Sequence, residues 1–413
     1  MTTKKQTLIS RLHPNIWVLS AGSYLTDVSS EMLFNLLPLF LFNVLGVRTS
    51  IVGLIEGIAE TTSSFFKIYS GSLSDRLGRR KSLTVLGYAL STVAKPLLYF
   101  ATSWAWVLGI RFSDRVGKGI RTAPRDALLA GSADASHRGL AFGLHRAADT
   151  AGAFTGMAIA ALVIWATQAD TTVLTRETFQ KITLISIVPA ALAVIVLAVW
   201  LREAAPAQAA TSSGARASFS ASWKAMEKPF KLFLIVIVLF TLGNSSDAFI
   251  ILRAQERGLS VLQIMGMLLT FTAIYSLLSG PAGSLSDRIG RRKVLLAGWL
   301  IYGLVYLGFA AAEAGWQVWA LYGLYGIYYA MTEGVAKALI ADLVSPERRG
   351  TAYGLFNGAI GLTALPASLF AGILWQGIGG WRGFGPPAPF YFGAALALVA
   401  GGLLVYLVRE ADR

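Results

Sequence analysis

The stretch Gly71-Ser-Leu-Ser-Asp-Arg-Leu-Gly-Arg-Arg-Lys81 recurs 212 residues later as Gly283-Ser-Leu-Ser-Asp-Arg-Ile-Gly-Arg-Arg-Lys293. The two copies differ at only one of their eleven positions. A second, weaker repeat has nearly the same offset: Ser29-Ser30-Glu31 is matched by Ser245-Ser246-Asp247. Segments that return in register along a chain indicate two related structural halves.

The composition outside this motif is that of a membrane protein. Of 413 residues, 55% are apolar and only 14% are charged, whereas about a quarter of a soluble domain is charged. A helix needs about 20 apolar residues to cross a bilayer core of about 30 Å, and stretches of this length are helices, not barrel strands. We predict twelve spans, at 16–45, 51–73, 83–102, 105–129, 139–165, 181–201, 230–254, 261–284, 294–312, 316–342, 351–375 and 388–408.

The motif divides these spans into two sets of six. We predict an N-terminal six-helix bundle at 1–201, a cytoplasmic linker at 202–229 and a C-terminal six-helix bundle at 230–413. The linker is rich in Ala and Ser, a composition typical of flexible connections.

The basic residues predict the orientation. The net charge is +14, and 21 of the 36 Lys and Arg fall on the side of the chain's N-terminus, against 5 on the opposite side. Positive loops face the cytoplasm, so we expect a multi-pass protein of the cell (inner or plasma) membrane with both termini cytoplasmic. This placement argues against nucleic-acid binding, which needs a soluble basic patch.

Twelve spans, parallel halves and the doubled Gly-x-Leu-x-Asp-Arg-x-Gly-Arg-Arg-Lys loop resemble the major facilitator superfamily (MFS). The resemblance implies an all-α membrane fold of two pseudo-symmetric six-helix bundles that work by alternating access. It also implies that the first loop latches the cytoplasmic face through Asp75, Arg76, Arg79 and Arg80.

Simple chemistry supports a gate at both loops. Gly78 and Gly290 permit the tight turn, and Asp75 and Asp287 can accept hydrogen bonds from a helix N-terminus or an arginine. Plain anchoring of basic residues at the membrane surface is the alternative. The complete set of gate candidates is Asp75, Arg76, Gly78, Arg79, Arg80, Arg125, Asp126, Asp287, Arg288, Gly290 and Arg291.

Ionisable residues inside the spans are the candidates for function, because their burial in lipid is costly. Ten bases and nine acids lie there, 15 of the 19 in the first half. Span four carries a charged stripe from Arg111 to Arg125 that cannot face lipid. The candidates for substrate binding or proton coupling are Asp27, Glu31, Glu56, Glu60, Lys67, Arg111, Asp114, Arg115, Lys118, His145, Arg146, Asp149 and Asp247.

Asp27 and Glu31 are the first candidates for the coupling proton, since they share a helical face. Arg115-Val-Gly-Lys-Gly119 also resembles the family's span-four motif, which is linked to proton coupling. The family's Gly-Pro-x-x-Gly-Gly antiporter motif is matched only in part by Gly152-Ala-Phe-Thr-Gly156-Met157, which lacks the Pro and the last Gly.

These observations predict a secondary active transporter of a small organic solute that is anionic, zwitterionic or amphiphilic, coupled to protons. A proton-antiport exporter and a non-transporting membrane receptor are the alternatives. An enzyme is disfavoured because the three His are scattered and neither metal-ligand spacing nor a Ser nucleophile motif occurs. A primary ATP-driven pump is disfavoured because no Gly-x-x-x-x-Gly-Lys-[Ser/Thr] loop occurs. We expect no metal or cofactor, the proton gradient as the energy source, the lipid bilayer and a small molecule as partners, and a monomer.

Overall fold

The computed structural model describes residues 12–77, 79–133, 138–203, 223, 226–345 and 348–407. Within these ranges the chain is helical and contains no strand. The twelve segments are α1 (Pro14–Val44), α2 (Thr49–Leu77), α3 (Arg80–Phe100), α4 (Trp104–Gly131), α5 (Arg138–Thr167), α6 (Arg176–Trp200), α7 (Lys228–Glu256), α8 (Val261–Ile289), α9 (Arg291–Ala311), α10 (Gly315–Leu343), α11 (Arg349–Gln376) and α12 (Ala388–Leu407).

Each segment overlaps one predicted span, and the all-α membrane fold is confirmed. Among the described residues, nine of the twelve segments are long and apolar enough to cross a membrane by composition alone. The other three are α2 and α4, which carry clustered charges, and α10, which carries a run of tyrosines. Charged or hydroxyl-bearing side chains thus lower the apolar character of these three segments.

Three segments are not continuous α-helices. The α1 helix ends at Phe34, and a short helix, Leu37–Leu39, then leads into a π turn, Phe40–Val44. In α3 the last six residues form a 3-10 helix, because Pro96 has no backbone N–H to continue the α-helix. The α7 segment consists of Lys228–Gly243 and Ala248–Glu256, separated by the polar sequence Asn-Ser-Ser-Asp.

The described residues fall into two compact units, which we treat separately. Unit 1 draws on 1–35, 65–160 and 179–212, and unit 2 on 36–64, 161–178 and 213–413. Most of the predicted linker, residues 204–222, lies outside the described part of the chain. The bundle boundaries at 1–201 and 230–413 stay predictions.

Glycines set the closest helix approaches in unit 1. A Cβ atom on Gly156 of α5 would lie 2.3 Å from the carbonyl oxygen of Val28 on α1, and one on Gly152 would lie 2.5 Å from that of Tyr24. Gly87 of α3 and Gly117 of α4 are related in the same way, because a Cβ on either would lie 2.6 Å from the other's carbonyl oxygen. Small residues at such contacts let membrane helices pack backbone to backbone.

Unit 2 contains a similar contact between the first part of α2 and α11. A Cβ on Gly53 would lie 2.2 Å from the carbonyl oxygen of Ser368. The Thr61 hydroxyl donates to the carbonyl oxygen of Gly361 at 2.7 Å, and the backbone N–H of Thr49 donates to the side chain of Gln376 at 2.8 Å. Hydrogen bonds thus fix this crossing near both of its ends.

We predict that Gly156→Ala destabilises the protein, since the added methyl group overlaps the Val28 carbonyl and overpacking costs about 1–3 kcal/mol. Gly143 on the same helix is the matched control, because no atom outside its own helix lies within 4 Å of a Cβ added there. Gly143→Ala should be neutral or stabilising, since Ala is the better helix former. Thermal unfolding in detergent measures both variants, and equal melting temperatures would contradict the packing argument.

Candidate substrate and coupling sites

Unit 1 gathers ionisable side chains from three helices into one group, which we name the charge cluster. Its acids lie on α1 and α4 and its bases on α3 and α4. The members are Asp27, Glu31, Lys95, Arg111, Asp114, Arg115, Lys118 and Arg121.

Asp114 lies at the centre of the cluster. Its carboxylate oxygen Oδ2 is 4.0 Å from Nη1 of Arg111 and 3.8 Å from Nε of Arg115, and all three side chains are at most 8% exposed. The ring of Phe34 lies beneath both guanidinium groups, with its centroid 4.0 Å from Cζ of Arg111 and 5.6 Å from that of Arg115. One carboxylate and an aromatic face thus stabilise two buried cations.

Lys95 joins α3 to α1. Its ammonium group is completely buried and donates to the hydroxyl groups of Ser29 at 2.9 Å and Ser30 at 3.0 Å. The same ammonium interacts electrostatically with Asp114, Asp27 and Glu31. The sequence places Lys95 inside the third span, but gives no reason to prefer it, because the serine partners are 65 and 66 residues away.

The two acids of α1 face different neighbours. Glu31 accepts a hydrogen bond from the Asn35 side chain at 2.8 Å. Asp27 interacts electrostatically with Glu31 and Asp149, and also with the cations Lys118 and Arg121.

Arg121 and Arg125 extend the polar network along α4. Arg121 donates to the Ser91 hydroxyl at 3.1 Å, and its guanidinium lies over the ring of Tyr88 at 4.3 Å. Arg125 pairs with its neighbour Asp126 at 2.9 Å and donates to the Ser23 hydroxyl at 3.3 Å. The predicted gate residues Arg125 and Asp126 therefore form a pair that contacts α1.

The remaining candidates lie in several places. On α5, Nδ1 of His145 is 3.5 Å from a carboxylate oxygen of Asp149, whereas the Arg146 side chain is exposed. Lys67 is partly buried on the unit 1 part of α2. Glu56, Glu60 and Asp247 belong to unit 2.

In unit 2 tyrosines occupy three of the positions that charged residues occupy on α4 of unit 1. At a constant offset of 211 residues, Arg111, Asp114 and Lys118 of α4 correspond to Tyr322, Tyr325 and Tyr329 of α10. The repeat thus keeps the helix positions and changes the chemistry from ionic to aromatic.

The break in α7 faces these tyrosines. The hydroxyl of Tyr325 donates to Oδ1 of Asp247 at 3.1 Å and lies 3.3 Å from Oδ1 of Asn244. The Asn244 amide also donates to the Tyr328 hydroxyl at 3.4 Å. Tyrosine hydroxyl groups therefore satisfy the polar side chains that interrupt the helix.

A cavity of about 290 Å³ lies among α7, α9, α10 and α11 of unit 2. Its walls combine aromatic faces with a few polar groups. The lining includes the side chains of Phe240, Asn244, Trp299, Tyr328, Glu333, Lys337 and Phe356. Tyr328 lines this cavity, whereas Phe249 packs against Trp375 with ring centroids 6.0 Å apart.

The second loop motif has a defined geometry. Gly290 ends α8 with φ of 99°, a conformation that favours glycine, as predicted for a tight turn. Arg291 pairs with Asp342 of α10 at 2.5 Å and with Asp287 at 3.4 Å, and it donates to the carbonyl oxygen of Ala338 at 2.8 Å. Arg291 therefore ties the ends of α8, α9 and α10 together, while Arg288 is exposed.

The first loop motif is described only in part. The side chains of Asp75 and Arg76, and Gly78 itself, lie outside the described part of the chain. Glu203, after α6, accepts hydrogen bonds from the backbone N–H groups of Arg80 and Lys81, each at 3.0 Å. This carboxylate caps the positive end of α3. Arg79 precedes the helix and is exposed.

Comparison with known proteins defines the family. The sequence model of the Major Facilitator Superfamily matches residues 19–252 and 234–413 of this chain. An uncharacterized MFS-type transporter of Methanocaldococcus jannaschii is 37% identical over 402 residues, which cover 96% of this chain and 95% of that protein. Multidrug resistance protein 2 of Bacillus subtilis is 33% identical over 148 residues, or 35% of each chain.

A solved structure supports the same fold. The crystal structure of the nucleoside transporter NupG covers 96% of this chain and 99% of its own, with a TM-score of 0.77 and 14% sequence identity. At this identity the likeness concerns the fold alone. The family model and the archaeal relative extend over nearly the whole sequence, so the chain belongs to the major facilitator superfamily and is a membrane transporter, not an enzyme.

Proposed function

We propose that the chain is a proton-coupled secondary transporter of a small organic solute, working by alternating access. The observation that carries the proposal is the charge cluster, in which Asp27 and Glu31 of α1 face buried cations of α3 and α4. Ionisable groups at membrane depth are costly to retain and mark ion and proton pathways. In this proposal no cofactor is needed, and the proton gradient is the energy source.

The coupling chemistry follows from the neighbours of α1. Lys95 holds Ser29 and Ser30 by hydrogen bonds, so the segment next to Glu31 is positioned by a cation. A proton that binds to Asp27 or Glu31 changes the charge balance with Lys95 and Lys118. Such a change in charge favours a different position of α1 relative to α3 and α4 when the proton binds or dissociates.

Support for an organic solute comes from unit 2. Its cavity is lined by aromatic side chains with a small number of polar groups, which is typical of small-molecule sites. The partial matches to Multidrug resistance protein 2 and to the class B tetracycline resistance protein of Escherichia coli favour an amphiphile and leave export open. The retained Gly152 and Gly156 pack α5 onto α1, which gives these glycines a packing role.

The positive-inside charge distribution supports an orientation with both termini in the cytoplasm of a cell (inner or plasma) membrane. A monomer is enough for this proposal, because the charge cluster lies within one unit and the cavity within the other.

We predict that Asp27→Asn and Glu31→Gln abolish solute accumulation driven by a pH gradient and leave solute exchange in its absence. The reason is that a neutral side chain still shapes the site, but no longer takes up and releases a proton. Proteoliposomes with an acidic interior or an acidic exterior measure the flux, with labelled tetracycline and uridine as probes and a thermal-shift screen to extend the panel.

Asp170→Asn is the matched control. Asp170 lies on an exposed loop, and the hydroxyl and backbone N–H of Thr172 donate to its carboxylate at 2.7 and 2.9 Å, which holds its pKa below the ordinary value. This substitution should leave accumulation unchanged. Gradient-driven accumulation that persists in both α1 variants would refute the coupling assignment, and solutes that bind without flux in either gradient would favour a receptor.

We also propose that Arg291 acts at the gate, supported by its pairs with Asp287 and Asp342. Arg291→Ala and Asp342→Ala should each slow transport several-fold, and the double variant should be no slower than the worse single one, because both remove the same interaction. Initial rates in proteoliposomes, normalised to inserted protein, give the comparison. Lys293→Ala, an exposed neighbour, is the control; unaltered rates in the Arg291 variant would leave only an anchoring role.

A further inference from the structure

The cavity of unit 2 has an ion pair in its wall. Glu333 and Lys337 are one turn apart on α10, with Oε1 and Nζ separated by 3.7 Å. Their side chains are 38% and 49% exposed, so both charged groups face open space. This intrahelical pair therefore lies in the cavity lining.

Glu333 is held in position from outside the pair. The hydroxyl of Tyr275 on α8 donates to Oε2 of Glu333, which leaves Oε1 directed at Lys337. A carboxylate fixed at one oxygen keeps the other available in a constant place. The negative side of the pair is therefore preorganised for a ligand cation.

Aromatic rings form part of the remaining wall, beside aliphatic, threonine and asparagine side chains. Phe240 and Trp299 stack with ring centroids 4.5 Å apart and an interplanar angle of 9°, and Tyr328 lies 6.0 Å from Phe240. Phe356 adds a further ring, stacked on Phe233. Rings in such an arrangement bind a planar apolar group, and the cavity volume of about 290 Å³ admits one small molecule.

Charge balance restricts which small molecule fits. A ligand with only a positive or only a negative group would pair with Glu333 or Lys337 and separate the other residue from its present partner, which leaves that charge to solvent alone. A molecule that carries an ammonium group and a carboxylate next to each other can pair with both residues at once. It exchanges one ion pair for two and leaves no net charge.

We infer that this cavity binds an aromatic zwitterion, with its ammonium group on Glu333, its carboxylate on Lys337 and its ring against Phe240, Trp299 and Tyr328. This inference rests on the proposed function only in taking the bound molecule to be the transported solute. Aromatic α-amino acids are the simplest members of the class.

The test compares four probes on the purified protein in lipid nanodiscs by titration calorimetry. L-tryptophan carries both charges and a ring, tryptamine only the positive charge, indole-3-propionate only the negative charge, and L-alanine both charges without the ring. We expect L-tryptophan to bind about tenfold or more tightly than each of the other three. Equal affinity for either singly charged probe, or no binding of L-tryptophan, would overturn the inference.

Two variants should reverse the charge preference. Glu333→Gln should weaken L-tryptophan binding and make indole-3-propionate the better singly charged probe, whereas Lys337→Gln should favour tryptamine. A residue with only a structural role would not produce opposite orders of preference. Glu313→Gln, the same change on an exposed loop, is the control and should bind like the unaltered protein.

The double variant Glu333→Lys with Lys337→Glu keeps an ion pair at the same positions. It therefore tests ligand preference in a protein whose fold does not lose this ion pair. It should retain the preference for L-tryptophan over both singly charged probes. Loss of that preference in a double variant with an unchanged melting temperature would count against the inference.

This test and the flux test fail separately. If L-tryptophan binds with the expected selectivity and is not accumulated under either pH gradient, the cavity assignment stands and proton-coupled transport of that solute fails. If tetracycline or uridine is accumulated and no indole probe binds, transport stands and the aromatic zwitterion is wrong.

Discussion

The cost of placing charge in a hydrocarbon interior governs the structure of unit 1. Arg111, Asp114 and Arg115 follow one another along α4 with almost no exposed surface. Lipid cannot solvate these charges, so they pair with one another within α4 and contact groups on neighbouring helices. The Phe34 ring of α1 stabilises the two arginines, and the serine hydroxyl groups of α1 stabilise Lys95, so these contacts help to determine how α1, α3 and α4 pack.

The two halves of the repeat have corresponding helices with different buried side chains. Where unit 1 has buried cations and carboxylates on α4, unit 2 has tyrosines on α10 at the equivalent positions. Tyrosine fills space with an apolar ring and still offers a hydroxyl group, which here reaches Asp247 and Asn244. We propose that one half responds to protons and that the other recognises a solute.

The fold and part of the candidate site follow from the sequence alone. Apolar length and the doubled loop identify twelve spans, and helical spacing shows that Asp27 and Glu31 share a face. Spacing along a helix cannot reveal a partner on another helix, so the sequence alone does not single out Lys95, whose serine partners lie on α1. The same limit applies to Glu333 and Lys337, whose pairing is local but whose cavity is formed by four helices.

The contact between Gly87 and Gly117 has a mechanical consequence. Backbones that touch at carbonyl oxygens have no side-chain layer between them that could slide or repack. The hydrogen bond from the Ser91 hydroxyl to the Asp114 carbonyl oxygen, 3.0 Å long, adds a second fixed point. α3 and α4 therefore move together as one unit, so that a displacement of α3 at Lys95 also displaces the arginines of α4.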